Sequence, residues 1–238
     1  MENIIEVKNL TMSYQETPVL FDVNVNIIKN SVTAIVGPNG AGKSTFIKGI
    51  LNLMKPISGS VLIMDQPIKN VLKNIAYVPQ TTSVNWDFPT TVFDVVLMGR
   101  YVHLGWFKRP TKKDKELALK ALDEIGLLEF KNRHISCLSG GQRQRVFLAR
   151  AIVQNADIYF LDEPLAGVDK ISEKVIMDTL KKFQNNGKTI IVVHHDLNTV
   201  EEYFDHIIFI NKRVLASGKT EDVFNNYNLE LTYGKFRK

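Results

Sequence analysis

The sequence predicts an α/β fold with a parallel sheet, an N-terminal antiparallel β subdomain and an inserted α-helical subdomain. Almost continuously apolar runs, typical of strands buried on both faces of a parallel sheet, cover residues 32–36, 158–161 and 189–193. Near the N-terminus, apolar Val23, Val25 and Ile27 alternate with polar residues. This period-two pattern indicates a strand with one wet face and favours an antiparallel sheet there.

Helical patterns separate the predicted parallel strands. Residues 114–125 carry Leu and Ile on one side and are followed by Gly126, which predicts a helix and its end. From about Trp86 to Gln154 the sequence is mostly helical or irregular. We therefore expect one domain, in which 1–85 and 155–238 form the α/β core with its antiparallel strands and 86–154 form the helical subdomain.

Composition indicates a globular protein. The chain has 238 residues, of which 45% are hydrophobic, so it can bury a full core. Its single cysteine excludes an internal disulfide, and the start MENIIEV lacks the basic and apolar regions of a signal peptide, so we expect a cytoplasmic location. The apolar runs are far shorter than the roughly 20 residues of a membrane helix. If the protein functions at a membrane, another chain must therefore span the bilayer.

Residues 37–44 match the phosphate-loop pattern G-x-x-x-x-G-K-[S/T] between a buried strand and a predicted helix over 45–53. Glycines let backbone N–H groups converge on phosphate oxygens. Lys43 is expected to reach the β- and γ-phosphates, and Ser44 to hold Mg²⁺. A chance match is expected roughly one time in a hundred, and the flanking strand and helix count against it. The predicted nucleotide-binding residues of this loop are Gly37, Pro38, Asn39, Gly40, Ala41, Gly42, Lys43, Ser44 and Thr45.

Polar residues follow three other predicted strands. Asp162 and Glu163 end the run 158–161, Gln80 follows 75–79, and His195 follows 189–193. Ligands of open α/β sheets bind at the carboxyl ends of the strands, so Asp162 can position Mg²⁺ through water and Glu163 can act as base for an attacking water. Taken singly, each group is as well explained by a loop start or a satisfied structural side chain. Four of them at strand ends favour catalysis.

A second Gly-rich segment, Leu-Ser-Gly-Gly-Gln at 138–142, precedes a helical pattern. Ser139 is a favoured N-cap, and the two glycines expose backbone N–H groups at a helix start, which suits an anion. A capped helix start without further function is the competing interpretation.

Residues 138–142 resemble the signature motif of the ATP-binding cassette (ABC) ATPases. The phosphate loop, Gln80, the signature, Asp162-Glu163 and His195 also follow one another in that family's order. The resemblance covers nearly the whole chain and implies a P-loop NTPase (RecA-like) core that hydrolyses ATP with Mg²⁺. It also implies a homodimer in which two cassettes pair head to tail, with the signature of one covering the γ-phosphate of the nucleotide held by the other.

The resemblance implies roles for individual residues. Ser139, Gly140, Gly141 and Gln142 would contact the partner's ATP, and Asp169 would be the acid at the dimer contact. Tyr14 would stack on adenine, although a tyrosine in a surface turn explains it as well. Gln80 would serve both Mg²⁺ and catalysis. His195 would be the switch histidine beside a structural His194, and Glu163 and Lys43 would complete the catalytic set.

Residues 85–114 resemble the cassette subunits of metal-ion importers, particularly those for manganese, with zinc and iron close behind. Basic residues interleave there with Tyr101, Trp106 and Phe107, a mixture that also suits single-stranded nucleic acid. These basic residues are Arg100, Lys108, Arg109, Lys112 and Lys113. The resemblance favours a partner-facing surface that receives the permease. It further implies an extracytoplasmic metal-binding protein and a peripheral place at the cytoplasmic face of the membrane.

Other functions fit fewer features. A soluble ABC ATPase acting on nucleic acid or ribosomes usually carries two fused cassettes or a long coiled coil, and this chain shows one cassette and no heptads, so no nucleic-acid partner is expected. A phosphate-loop kinase would leave 139–142 unexplained. The transported metal would not touch this chain, whose five histidines have no cysteines at ligand spacing. The stretch 225–238 is interpreted as a mobile, basic end.

Overall fold

A computed structural model describes residues 2–14, 17–81, 84–104 and 108–234. Strands β1 to β9 are, in order, Asn3–Tyr14, Thr17–Ile28, Val32–Val36, Ser58–Ile63, Ile75–Val78, Ile158–Asp162, Thr189–Val193, His206–Ile210 and Val214–Lys219. Helices α1 to α10 are Lys43–Ile50, Ile68–Val71, Val92–Leu97, Tyr101–Leu104, Lys112–Glu124, Gly140–Gln154, Lys170–Asn185, Val200–Tyr203, Thr220–Val223 and Asn226–Tyr233. Within these described ranges, no helix has the length and apolar character needed to cross a membrane.

The chain divides into two compact units. Unit 1 consists of Met1–Leu72 and Gly187–Lys238, and unit 2 of Lys73–Asn186. The subdomain boundaries at residues 86 and 154 remain a prediction.

The antiparallel sheet of unit 1 has the strand order β2-β1-β4. In β2 the apolar residues Val23, Val25 and Ile27 are buried, whereas Asn24 and Asn26 between them are exposed. The alternation read from the sequence therefore corresponds to one core-facing and one solvent-facing side.

The other strands of unit 1 lie in the order β7-β3-β8-β9. β3 pairs in parallel with both β7 and β8, and β9 is antiparallel to β8. Every residue of β3 and β7 is buried, which explains their unbroken apolar sequences. Because the pairing is parallel, β3, β7 and β8 all end at the same edge of the sheet. The phosphate loop begins at this edge, and His195 also lies there.

Helix α1 is shorter than the helix predicted over 45–53. It ends at Ile50, because Asn52 adopts a left-handed conformation with φ 51°. The amide of Leu53 then donates to the carbonyl of Lys48 at 2.9 Å, a bond that closes the last turn. The expected extension to Leu53 was therefore wrong.

Unit 2 contains the parallel pair β5 and β6, with helices α3, α5 and α6 packed together and α6 also contacting α7. Helix α5 begins at Lys112, where Thr111 and Asp114 form a capping box. Aromatic contacts contribute to the packing of unit 2, with Tyr159 stacked on Phe183 at 4.2 Å between ring centroids. With the sheets of unit 1, this arrangement confirms the α/β fold class.

Residues 226–233 form helix α10, capped by Asn225, whose side chain accepts from the amide of Asn228. The interpretation of this stretch as a mobile end was wrong for these residues. The sequence of this stretch has no strong amphipathic period, so it did not predict a helix. Residues 235–238 lie outside the described part of the chain.

Candidate functional site

The phosphate loop connects the buried strand β3 to helix α1 in unit 1. Gly42 is the N-cap of α1 and has φ 97°, a conformation that side-chain-bearing residues rarely adopt. A Cβ at Gly42 would lie only 2.5 Å from Cδ2 of Leu20. Position 42 therefore requires glycine for two independent reasons. At Gly40, with φ 77°, no atom lies near the place of a Cβ, so the backbone there faces open space.

Lys43 is folded back into the loop. Its side chain is buried, and Nζ donates to the carbonyls of Gly37 at 2.8 Å and Pro38 at 3.0 Å. The ammonium group is thus held within the loop. There it can exchange backbone carbonyls for phosphate oxygens, which are stronger acceptors because they are charged. Ser44, partly buried in the first turn of α1, places a hydroxyl at the helix N-terminus.

The two histidines after β7 have different environments. His194 is buried, its Nε2 lies 2.8 Å from Oγ1 of Thr199, and its ring packs on Phe204. His195 is exposed at the sheet edge where β3 also ends. Tyr14, at the end of β1, is 47% exposed.

Gln80 and Glu163 are brought together by the pairing of β5 with β6. Val78 pairs with Leu161, and two residues beyond each of these, the Gln80 side-chain amide donates to Oε2 of Glu163 at 2.6 Å. Glu163 has φ 53°, a strained backbone conformation that costs a residue other than glycine on the order of 1–3 kcal/mol. Such strain persists where the surrounding structure holds a side chain in one required position.

Asp162 is the last residue of β6 and is buried. Its carboxylate, the Gln80 side-chain oxygen and the Ser44 hydroxyl are the oxygen donors that Mg²⁺ prefers. The residue types predicted for Mg²⁺ therefore fit that ion chemically. In the described ranges, no group of three or more His, Cys, Asp or Glu side chains could hold a metal ion on its own.

The Gly-rich segment at 138–142 forms the start of α6. Ser139 is the N-cap: its Oγ accepts from the amide of Gln142 at 3.3 Å, and Oε1 of Gln142 accepts from the amide of Ser139 at 2.9 Å. Gly140 is exposed, with no atom near the place of a Cβ. The helix start is therefore well capped and open toward solvent. In the structure the Gln142 side chain is thus part of the cap of α6.

Asp169 caps helix α7 and lies beside the signature segment within unit 2. Its carboxylate accepts from the backbone amide of Ser172 at 2.8 Å and from the Ser172 hydroxyl at 3.0 Å. These hydrogen bonds hold the pKa of Asp169 below its usual value, so the group stays ionised. A Cβ at Gly141 would lie 3.2 Å from Oδ2 of Asp169. The contact between α6 and α7 therefore leaves little room for any side chain at position 141.

Residues 20–166 match the family model for the ABC transporter. The chain belongs to the ABC transporter family. As an ABC cassette it is a nucleotide-binding ATPase whose hydrolysis of ATP is coupled to transport, which confirms the predicted fold and reaction.

Relatives resemble this ABC cassette over almost its whole length. It is 52% identical over 230 residues to the manganese transport system ATP-binding protein MntB of Bacillus subtilis (strain 168), covering 97% of this chain and 92% of MntB. It is 51% identical over 230 residues to the zinc transport system ATP-binding protein TroB of Treponema pallidum (strain Nichols), covering 97% of this chain and 86% of TroB. The crystal structure of a nucleotide-free ATP-binding cassette from an ABC transporter superposes with a TM-score of 0.83 at 26% identity, covering 98% of this chain and 100% of that one.

The basic and aromatic segment 85–114 was predicted to be a solvated, partner-facing surface, and the structure differs from this prediction in part. Arg100 is not a solvated surface charge, because its Nε donates to Asp114 Oδ1 at 2.9 Å and its Nη1 to the carbonyl of Val153 at 2.8 Å. Tyr101 is 52% exposed, as expected for a partner-facing residue. Trp106 and Phe107 lie outside the described residues. The remaining basic residues of the segment, Lys108, Arg109, Lys112 and Lys113, are exposed.

Sequence reasoning missed one residue at the phosphate loop of the ABC cassette. Burial raises the pKa of Tyr233, at the end of α10, to about 12, and the backbone of Gly37 opposes this rise. No local pattern connects residues so far apart in the chain, and a lone C-terminal tyrosine carries no motif.

Proposed function

We propose that this ABC cassette energises a membrane importer of divalent transition-metal ions, with manganese as its cargo. The similarity to MntB and TroB over 97% of the chain supports a metal-ion system. Because these two relatives are almost equally similar, zinc is the nearest alternative cargo and iron the next. The import direction rests on the same resemblance.

The hydrogen bond between Gln80 and Glu163, 2.6 Å long, carries the mechanistic part of the proposal. Glu163 is the general base, which accepts a proton from the water that attacks the γ-phosphate. Gln80 holds one carboxylate oxygen and thereby orients it. Gln80 also begins the segment that runs to Phe88, an apolar residue that is 61% exposed. In this proposal the segment that starts at Gln80 links the catalytic carboxylate to a surface that a partner can contact.

The phosphate loop binds the nucleotide in this mechanism. Backbone N–H groups of 37–45 and the Lys43 ammonium hold the phosphates, and Tyr14 stacks on adenine. Ser44, Gln80 and Asp162 supply oxygen donors for Mg²⁺. When bound, Mg²⁺ neutralises charge on the β- and γ-phosphate oxygens. His195, exposed at the end of β7, contacts the γ-phosphate.

ATP closes a head-to-tail homodimer in our proposal. The open backbone at Gly140 and the capped helix start at Ser139 offer N–H groups to the nucleotide bound by the partner copy, together with Gly141 and Gln142. Asp169 contacts the other copy. Nucleotide that touches both chains stabilises the closed state, and hydrolysis releases it.

The homodimer works beneath two permease subunits at the cytoplasmic face of the membrane. Unit 2 exposes the apolar side chains Phe88, Met98 and Tyr101, which suit contact with a protein partner. An extracytoplasmic metal-binding protein delivers the ion to the permease, and no nucleic acid takes part. The cassette itself does not touch the ion.

The test compares cells that carry the parent chain or Glu163→Gln in place of their own copy, grown in metal-poor medium. Cellular manganese, zinc and iron are measured, and Glu116→Gln, which alters an exposed glutamate on α5, serves as the matched control. A selective loss of manganese in Glu163→Gln alone supports the proposal. A selective loss of zinc or iron reassigns the cargo, and unchanged levels of all three metals contradict metal import.

A further inference from the structure

The side chain of Arg143 connects the two ends of the signature segment 138–142. Arg143 lies in the first turn of α6, where its amide donates to the carbonyl of Ser139 at 2.9 Å. Its Nη2 donates to the carbonyl of Ser136 at 2.7 Å. Ser136 belongs to the short 3₁₀ turn that comes directly before the signature segment. One arginine therefore joins the backbone that precedes this segment to the helix that follows it.

The guanidinium of Arg143 packs against Trp86. Its Cζ lies 4.9 Å from the centroid of the Trp86 ring. The Nε atom of Arg143 is buried and has no hydrogen-bond acceptor among the described residues. A buried N–H group without an acceptor costs free energy, and the face of an indole is the aromatic surface that attracts a cation most strongly. Trp86 therefore stabilises a guanidinium that hydrogen bonds satisfy only in part.

Trp86 is itself held in place from two sides. Its Nε1 donates to the carbonyl of Thr81 at 2.8 Å, and its ring packs on Phe147 with the centroids 5.0 Å apart. Phe147 lies one turn beyond Arg143, so the indole contacts one face of α6 at positions i and i+4. Thr81 directly follows Gln80. The indole is thus fixed between α6 and the segment that follows β5.

We propose that Trp86 and Arg143 are positioning residues that hold the signature segment in the orientation in which it meets ATP bound by the partner copy. The inference rests on the proposed composite site of the head-to-tail homodimer. Backbone N–H groups bind an anion only where they converge on it, so a shift of the helix start weakens this contact. The affinity of one chain for ATP in its own phosphate loop does not depend on the signature segment and is unaffected.

Simple packing of an aromatic ring beside Phe147 is the competing explanation. It predicts that a smaller side chain at position 86 lowers the free energy of unfolding and leaves dimerisation as it was. The positioning role predicts weaker ATP-driven dimerisation in a chain that is folded and binds ATP normally. The two explanations therefore differ in the dissociation constant of the dimer.

The experiment uses the full chain carrying Glu163→Gln as the reference and compares Trp86→Leu with Trp86→Phe, which keeps an aromatic ring beside Arg143. Phe130→Leu is the matched control, because Arg133 lies over the Phe130 ring at 4.8 Å in a similar contact after α5. Sedimentation equilibrium with saturating MgATP gives the dissociation constant of the dimer. Calorimetric titration of the monomer gives its affinity for ATP, and urea unfolding gives its stability.

We expect Trp86→Leu to raise the dissociation constant of the ATP-bound dimer about three- to tenfold, the range of one cation–π contact. The affinity of the monomer for ATP should stay at the reference value. Trp86→Phe should recover most of the loss, and Phe130→Leu should dimerise as the reference does. An unchanged dimer dissociation constant in folded Trp86→Leu overturns the inference, and so does a loss of ATP affinity in its monomer.

Arg143→Lys takes the place of Trp86→Leu if that variant fails to fold. Lysine keeps the charge but lacks the planar group that both stacks on the indole and donates to Ser136, so it should also weaken the dimer. Reference-like dimerisation of Arg143→Lys then overturns the inference. Ser139→Arg separates the two levels of proposal. If it dimerises as the reference does, the composite site and the positioning role both fail; if it is blocked and Trp86→Leu dimerises normally, only the positioning role fails.

Discussion

Replacing Asp114 with asparagine should remove a measurable part of the stability of unit 2. The carboxylate accepts from Nε of Arg100 at 2.9 Å and, within its capping box, from the amide and hydroxyl of Thr111 at 2.9 Å and 2.6 Å. The side chains of Arg100 and Asp114 are 17% and 7% exposed. Asparagine has nearly the same shape, so the change removes the charge and leaves the guanidinium without its anion.

The size of the effect follows from the pKa of Asp114, which falls from its ordinary 3.8 to about 2. The hydrogen bond from the Thr111 side chain contributes most, followed by that from Arg100. One pKa unit corresponds to 1.36 kcal/mol, so the ionised Asp114 carboxylate can contribute at most about 2.4 kcal/mol to the free energy of unfolding. The pair lies just beneath the surface, where solvent screens it, and we expect a loss of about 1–2 kcal/mol in the free energy of unfolding.

The assay is urea unfolding of the parent and Asp114→Asn between pH 7 and pH 3. The pKa of Asp114 is lower in the folded state than in the unfolded state. Its contribution to the free energy of unfolding is therefore present above pH 3.8 and is lost as the pH falls toward 2. The difference between the two proteins should stay constant down to about pH 5 and shrink below pH 4. Asp123→Asn, which alters an exposed aspartate on the same helix, is the control. A variant as stable as the parent at pH 7, or a difference that grows with acid, would refute the reasoning.

Two further predictions concern the ATPase cycle. Glu163→Gln should bind ATP normally, lose turnover by about 100-fold or more because the base is gone, and accumulate as an ATP-bound dimer in gel filtration; turnover at the parent rate would remove Glu163 from this role. Ser139→Arg should abolish ATP-driven dimerisation by filling the open helix start, whereas Ser139→Ala, which loses only about 1 kcal/mol of capping energy, should still dimerise. Normal dimerisation of Ser139→Arg would count against a composite site.

Local patterns were sufficient for much of the fold. The strands at 32–36, 158–161 and 189–193 were predicted within one residue of their observed bounds, because strands buried on both faces require unbroken apolar sequence. The phosphate loop was also predicted from local sequence, because the backbone conformation that its glycines allow is determined within eight residues. The end of α1 was misplaced, because a single asparagine in a left-handed conformation terminates the helix there. Helix propensity alone does not report that choice.

Contacts between residues that no local motif joins became visible only in the folded chain, among them one within the candidate site. Gln80 meets Glu163 through the register of β5 and β6, and Arg100 pairs with Asp114 beneath the surface. The partners of these two pairs are 83 and 14 residues apart in the chain. The amino-acid sequence thus specifies which groups are present and the local backbone geometry that each requires. Which of them meet depends on strand register and helix packing, which are set by burial of the whole core rather than by any short motif.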